Sequence, residues 1–416
     1  MEIKVIHYTK DMLGYGSKEE NIINGSNVDA AKLQNDMLTL GGREAGICYM
    51  ADNYFSTKIN DSEKALKRAV TIEGTGHHSP FDHGSIGIEI SGIPKILAMI
   101  LNSTEFYTTS EKSARYTVMH PETQLELDIY NKWTQKFKEI IPTYGYKMTD
   151  KEIEKVALEN ARYMLSVFTP TSMGFTTTYR QYCYLAEWLR KFSAKLKEKL
   201  NGFNERLYPY VDELAQYFED LTGCKVVDNK NGNIQFIPMI TTGHNISKNE
   251  YIGDVYDIYY TGSFAMVAQA QRHRTLHYEI GFLNNNAKPG ALGCYIPKMI
   301  RDNKELKNEW VEDFNSLIDY FPQCTLVEVK EQGRAHNFFL KCKERLCGYA
   351  QLEITERTAN TMQRFIDNKD NLSDEVREEL ENCTMNDTVV PRCMFKDFSC
   401  TSPCRYGPRY GIDRPF

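Results

Sequence analysis

The sequence predicts an α/β (α+β) fold of two tandem units, each a sheet flanked by helices, followed by a short Cys-rich tail. Three observations predict it. Stretches such as "GSIGIEISGIPKI" alternate apolar and small residues at the period of a strand. Others, such as "TDKEIEKVALENARYML", repeat apolar residues at the period of a helix. Finally, the two halves of the chain echo each other in the order of their elements.

Each element has a local reason. "GSIGIEISGIPKI" reads as a strand that enters a turn at Gly92 to Pro94. In "TDKEIEKVALENARYML", Thr149 and Glu152 form a capping box. Ile153, Val156, Ala157, Ala161, Met164 and Leu165 then make one apolar stripe. "EWLRKFSAKLKEKLNGFNERLYPYVDELAQYFEDLTG" reads as two helices broken near Gly202, the second ending at Gly223. "NKELKNEWVEDFNSLIDYF" and "EITERTANTMQRFI" are further amphipathic helices. The lysines from Lys191 to Lys199 read as a solvated helix face, and "DNKNGNIQ" after Cys224 is the clearest break in the middle.

The echo sets the domain organisation. "TGHHSPFDHGSIGIEISGIPKILAMILNS" resembles "TGHNISKNEYIGDVYDIYYTGSFAMVAQAQRHR". "ARYMLSVFTPTSMGFTTTYRQYCYLAEWLRK" resembles "IDYFPQCTLVEVKEQGRAHNFFLKCKERL". Each pair runs through a His-containing turn, a strand, an apolar helix, a Pro-marked turn and a helix carrying Arg or Lys. The expected boundaries are 1–225 for the first repeat, 226–380 for the second and 381–416 for the tail.

Composition narrows the function. The 416 residues carry a net charge of −6, with 26 Tyr and 20 Phe. A large core is available, and non-specific nucleic-acid binding, which needs many phosphate contacts, is disfavoured. The N-terminus lacks the apolar stretch of a signal peptide and no apolar run approaches a membrane span. Eleven cysteines, mostly in apolar surroundings, suit reduced thiols. The expected compartment is the cytoplasm, with no membrane or nucleic-acid partner.

The chemistry concentrates in a few places. "SEKSARY" sets Glu111, Ser113 and Arg115 at alternate positions, so in extended backbone they share one face. A carboxylate, a hydroxyl and a guanidinium there accept from a sugar hydroxyl and donate to a phosphate. Surface ion pairs are the other reading of that spacing. Arg162 follows the capped helix beside its apolar stripe, where a buried guanidinium needs an anion. "QAQRHRTLHYEIGF" places Arg272, His273 and Arg274 together, three cation-capable groups next to an apolar run.

Taken together, "GREAGICYMADNYFS", "GTGHHSPFDHGSIGIEISG", "TTSEKSARYT" and "ENARYMLSVFTPTSMGFTTTYRQ" resemble the flavin-dependent thymidylate synthases over roughly 40–190. A fainter likeness covers about 265–355. The family's R-H-R signature is split. Ser103, Thr104 and Glu105 occupy its place in the first half. The second half keeps Arg272, His273 and Arg274 but has Phe282 where the signature Ser belongs. The resemblance implies a nucleotide site assembled from complementary sets. The first half retains Glu111, Ser113, Arg115 and Arg162; the second retains Gln269 and Arg272, with Lys343 or Arg345 as the late basic residue. Arg115 and Arg162 would meet phosphate or uracil oxygens, and Arg272 would hold the pyrimidine against the flavin.

By the same resemblance the cofactor is FAD, contacted by His77, Ser79, Asp82, His273 and Arg274. Asp82 stands where the family usually has Glu, and Thr178 and Gln332 stand where it has flavin-touching asparagines. The implied reaction is reductive methylation of dUMP to dTMP with methylenetetrahydrofolate and NADPH, in a homodimer that imitates the family's tetramer. Modification of another pyrimidine nucleotide at C5, or a non-catalytic nucleotide-binding role, remain open.

His77, His78 and His83 lack an accompanying Glu pattern and read poorly as a metal site. In the tail, Cys383, Cys393, Cys400 and Cys404 could hold a structural zinc, since four thiolates suffice and so short a segment has little core. Packed or free cysteines are the alternative, and an iron–sulfur cluster is a further one that the spacing does not support.

Overall fold

The structure is a computed structural model. It describes residues 1–9, 28–50, 56–103, 106–114, 117–198, 200–223, 240–242, 246–282 and 290–416. The "DNKNGNIQ" break, Arg115, Thr104 and Glu105 lie outside the described residues, as do the side chains of Cys48 and Phe282. The chain forms two compact units, Met1–Lys112 with Pro170–Ile237, and Ser113–Thr169 with Pro238–Phe416. These units do not follow the repeat boundaries read from the sequence: 113–169, from the first half, packs with the second. Among the described residues no helix is long and apolar enough to cross a membrane.

The first unit is a four-stranded antiparallel sheet of β1 (Glu2–Tyr8), β2 (Ser85–Pro94), β3 (Tyr107–Glu111) and β4 (Pro170–Thr178), in the order β1-β2-β4-β3. The turn expected at Gly92–Pro94 is absent. The strand runs through Pro94, with Gly92 at φ 75° beside a register shift between Ser91 and Ile93. A glycine tolerates the left-handed backbone that a bulge demands, so the chain bends without leaving the sheet. The helix Lys95–Leu101 then starts at once.

Helices Tyr179–Glu198 and Gly202–Thr222 pack together in this unit, the second ending at Gly223 with φ 64°. Lys191 pairs with Glu187 and Lys197 with Asp212, both at 2.5 Å, as a solvated face would. Helices Ala30–Tyr49 and Ser62–Gly74 approach so closely that a side chain at Gly42 would meet the Ala65 carbonyl at 1.9 Å.

The second unit holds β5 (Ile240–Thr242), β6 (Val255–Ser263), β7 (His277–Phe282) and β8 (Leu326–Arg334), in the order β5-β7-β8-β6. All contacts are antiparallel except β5 with β7. Its helical layer includes Gln124–Ile140, Asp150–Ala161 and Lys304–Ser316, whose core centres on Trp133 and Trp310 at 4.8 Å between ring centroids. The Thr149–Glu152 capping box is formed as expected.

One pattern recurs inside both units. A long strand (β2, β6) leads into a seven-residue helix (Lys95–Leu101, Phe264–Ala270) and a short strand (β3, β7). A later strand (β4, β8) inserts between the two and runs straight into a helix, Tyr179–Glu198 or Ala335–Arg345. Single hydrogen bonds repeat as well. Asn102 N–H donates to Ala98 and Ser103 N–H to Ile100, as Gln271 does to Val267 and Arg272 to Gln269. Before the central strand, Leu165 N–H donates to Arg162 and Thr169 to Ser166, as Phe321 does to Ile318 and Thr325 to Pro322. The last two segments also meet each other. Ser166 bridges Pro322 antiparallel, Val167 N–H donates to Phe321 O, and Gln323 N–H donates to Leu165 O, which describes a local two-fold axis within the second unit.

Candidate functional site

The second unit gathers buried polar side chains around Arg162. The capped helix Asp150–Ala161 runs into a turn at Arg162–Met164, and this places Arg162 at 7% exposure. Gln351, only 3% exposed, sits at the start of the helix Leu352–Asp367. Its amide oxygen accepts from Arg162 Nη2 and from Gln269 Nε2, and its own Nε2 donates to Tyr163 Oη. Tyr163 Oη donates to Glu353 Oε2 at 2.7 Å. Ser263 completes that carboxylate's shell, its hydroxyl at 2.6 Å and its N–H at 2.8 Å.

Burial governs the ionisation here. It raises the Glu353 carboxyl, against the lowering effect of the Ser263 and Tyr163 hydrogen bonds. It also pushes the Tyr163 phenol well above its ordinary range, helped by the Glu353 charge. Tyr163 therefore remains a donor, and its orientation is set from both sides.

The R-H-R stretch closes the same region. Arg272 is half-buried in the turn after the helix Phe264–Ala270, its N–H held by Gln269 O at 3.2 Å. His273 is buried and accepts from Arg345 Nε at 2.7 Å through Nε2, which assigns the proton to Nδ1. Desolvation, with the Arg345 and Lys341 charges, drives the imidazole down to about 2, so it is neutral at physiological pH. Arg345 Nη2 also reaches Gln269 O at 3.3 Å. Arg274 is exposed.

The expected residues thus divide. Arg162 and Gln269, assigned to different halves of the chain, meet on one amide, with Arg345 and Arg272 beside Gln269. Of the two candidates for the late basic residue, Arg345 reaches this region, whereas Lys343 turns away to Asp397 at 2.6 Å. Ser113 belongs to the same unit, its carbonyl accepting from Thr117 Oγ1 at 2.8 Å. Glu111 belongs to the first unit, where its carboxylate pairs with Lys95 at 2.6 Å. Gln351, Tyr163, Glu353 and Ser263 were not read from the sequence. Tyr163 adjoins Arg162 in "ARY", and "AQLEI" carries a buried Gln and Glu at a helix start, a weak signal next to the motif residues.

In the first unit the turn Ser79–Asp82 carries the other expected flavin contacts. Asp82 accepts from Arg180 Nη1 at 2.6 Å and from Thr178 Oγ1 at 3.0 Å. Arg180 Nε donates to Tyr184 Oη at 3.1 Å, and that hydroxyl lies 3.0 Å from His78 Nδ1. His78 is a bonded core residue, its other nitrogen 3.1 Å from Glu73 O. In the tail, Cys383 is buried and raised to about 12 by desolvation. Among the described residues no three His, Cys, Asp or Glu side chains converge closely enough for one metal ion, so the zinc ligand set expected from the tail is not assembled.

These features define a mixed α/β protein whose second unit buries guanidinium, amide and carboxylate groups in one hydrogen-bonded network. Residues 40–195 match the family model described as thymidylate synthase complementing protein. Among solved structures, the flavin-dependent thymidylate synthase ThyX from Helicobacter pylori, complexed with FAD and dUMP, is 15% identical with a TM-score of 0.28, covering 54% of this chain and 99% of that one. The UMP/dUMP methylase PolB from Streptomyces cacaoi, bound with 5-Br dUMP, is 13% identical with a TM-score of 0.27, covering 44% and 76%. No curated protein matches.

Proposed function

We propose that the second unit binds a pyrimidine nucleotide and that the protein reductively methylates dUMP to dTMP, using FAD, methylenetetrahydrofolate and NADPH. The observation that carries this reading is the convergence of Arg162 and Gln269 on Gln351. Residues that the family resemblance assigns to one nucleotide, and that lie far apart in the chain, share one hydrogen-bond acceptor. A nucleoside monophosphate is a dianion near neutral pH, and guanidinium groups suit it better than ammoniums. Arg162 and Arg272 would hold the anion and the pyrimidine carbonyls, where fixed cations also favour the negative charge that develops on the ring. Ser113, and Arg115 outside the described residues, keep their expected place in substrate binding.

The donor set suits FAD. In the second unit Arg274 is exposed and His273 carries its proton on Nδ1, so both would donate to the diphosphate of FAD. When bound, reduced flavin would supply the hydride, and the protein would supply orientation and field. Another C5 modification of a pyrimidine nucleotide is the second reading. It is favoured by Thr178 and Gln332, which spend their polar groups on Asp82 and Asp257, at 3.0 Å in each case. We also infer a tandem duplication, supported by the recurring strand order and hydrogen bonds, and a homodimer that would bring together four such units.

Titration of the purified flavoprotein with dUMP, followed by calorimetry and the flavin spectrum, tests the site. Arg162→Ala and Arg272→Ala should each weaken dUMP binding by about 2–5 kcal/mol, the usual cost of truncating a buried charged partner. Wild-type affinity in either folded variant overturns it. Product formed from dUMP without methylenetetrahydrofolate favours the second reading.

A further inference from the structure

The tail returns to the loop after the helix Ala335–Arg345 and is fastened there. Arg392 N–H donates to Leu346 O at 2.7 Å, Arg392 Nη1 to Lys343 O at 2.9 Å, and Tyr349 Oη to Pro403 O at 3.1 Å. Between these fastenings lies a largely apolar cavity of about 290 Å³, and four of its lining residues are Cys347, Cys393, Cys400 and Cys404. All four thiols are free. Three come from the tail; the fourth is contributed by the loop, and Cys383 takes no part. A side chain at Gly348 would stand 2.7 Å from Cys404 Sγ, so glycine is what lets that sulfur approach the backbone beside Cys347.

The four sulfurs line one cavity without converging on a single point, and this bears on the ligand. Four thiolates around one zinc stand about 3.8 Å apart, as Zn–S bonds of about 2.3 Å in a tetrahedron require. No three of these cysteines converge closely enough for a single ion. Yet they share one cavity. A cubane cluster places each thiolate on a separate iron, so its sulfurs stand well apart around a volume that zinc cannot fill. The neighbouring charge is also right. Arg414 is 1% exposed, and its guanidinium donates to three neutral acceptors, Gly411 O, Ala350 O and Thr355 Oγ1. Gly411 also lines the cavity, so the guanidinium that it holds stands beside it. A buried cation so placed offsets the negative charge of a thiolate-ligated cluster.

We propose that Cys347, Cys393, Cys400 and Cys404 ligate a [4Fe–4S] cluster that staples the tail to the second unit. The full chain, purified without oxygen and reconstituted with equal ferrous and ferric iron and with sulfide, should hold about four iron and four acid-labile sulfide per chain. Cys347→Ala and Cys400→Ala should lose at least half of both, while Cys383→Ala and Cys342→Ala should retain them. Circular dichroism checks the fold of each variant, and the wild-type content decides the matter even where a variant folds poorly. Zinc without sulfide, a disulfide among the four cysteines, or full cluster content in folded Cys347→Ala would each overturn the proposal. None of these readouts involves dUMP, so the nucleotide reading stands or falls separately.

Discussion

The two units share a strand plan but fill it with opposite chemistry. In the first, the middle of the central strand is Phe175, between Ile88 and Thr109 on the neighbouring strands. It is fully buried and stacks on Tyr107 at 5.8 Å. In the second unit the same place belongs to Glu331, between Ile258 and Tyr278, and it too is fully buried. The helix after the central strand repeats the contrast: its seventh residue is Leu185 in one unit and Lys341 in the other. Lys341 pairs with Glu331 at 2.7 Å, and Tyr256 and Tyr260 each donate to that carboxylate at 2.8 Å. A sheet with this topology tolerates an oily or an ionic centre, provided that every charge is satisfied. The ionic version stands in the unit that also buries Arg162, His273 and Glu353. At this one position the first unit places an aromatic ring and the second a carboxylate with its ammonium partner.

The largest expected effect comes from breaking the buried pair. Lys341→Met strands the Glu331 charge and should destabilise the second unit by about 3–5 kcal/mol. The double variant Glu331→Phe with Lys341→Leu installs the first unit's residues and should recover most of that loss. Amide exchange over residues 326–345 and 170–189 measures each unit separately. A double variant as unstable as the single one breaks the comparison.

A smaller effect concerns pH. His273 titrates at about 2 when folded and at its ordinary 6.5 when unfolded. Below 6.5 the unfolded chain takes up a proton that the folded one refuses, so stability is lost as pH falls. The slope approaches about 1.4 kcal/mol per pH unit from this group alone. His273→Gln should flatten the exchange-derived stability of the second unit between pH 6.5 and 4.5 by that amount; an unchanged slope means that the imidazole is not buried neutral. The smallest effect tests the first unit. Tyr182 donates to Ile86 O or Phe175 O at 3.3 and 3.2 Å. Its counterpart in the second unit is Phe338, so Tyr182→Phe should cost only about 1 kcal/mol. A loss beyond about 3 kcal/mol in chemical denaturation would mean that the two cores are less alike than their strands.

Much of this was legible in the sequence. The helix from Asp150, its capping box, the Gly223 terminus and the apolar helix before Arg272 are local features, and local features leave local marks. The family resemblance also pointed to Arg162, Gln269, Arg272 and Arg345, and Arg162 and Arg345 each hydrogen-bond within reach of Gln269. What it missed depends on tertiary contact. Gly92 looked like a turn because a glycine serves a bulge and a turn equally well. Lys343 and Arg345 both lie near the expected place, and only packing sends one to Asp397 and the other to Gln269. Gln351 and Glu353 open an amphipathic helix that reads as surface until Arg162 and Ser263 are brought against it. Cys383 was grouped with the tail thiols by proximity in sequence, whereas Cys347 replaces it in space.

The pairing of Ser166 with Pro322 has a consequence for truncation. Stretches that correspond to each other in the two halves are sewn together, and Trp133, from the earlier half, finds its cover in Trp310, from the later one. A gene truncated after the first half would yield a polypeptide with an uncovered tryptophan cluster, prone to clump. Removing either half would expose core that the other now covers.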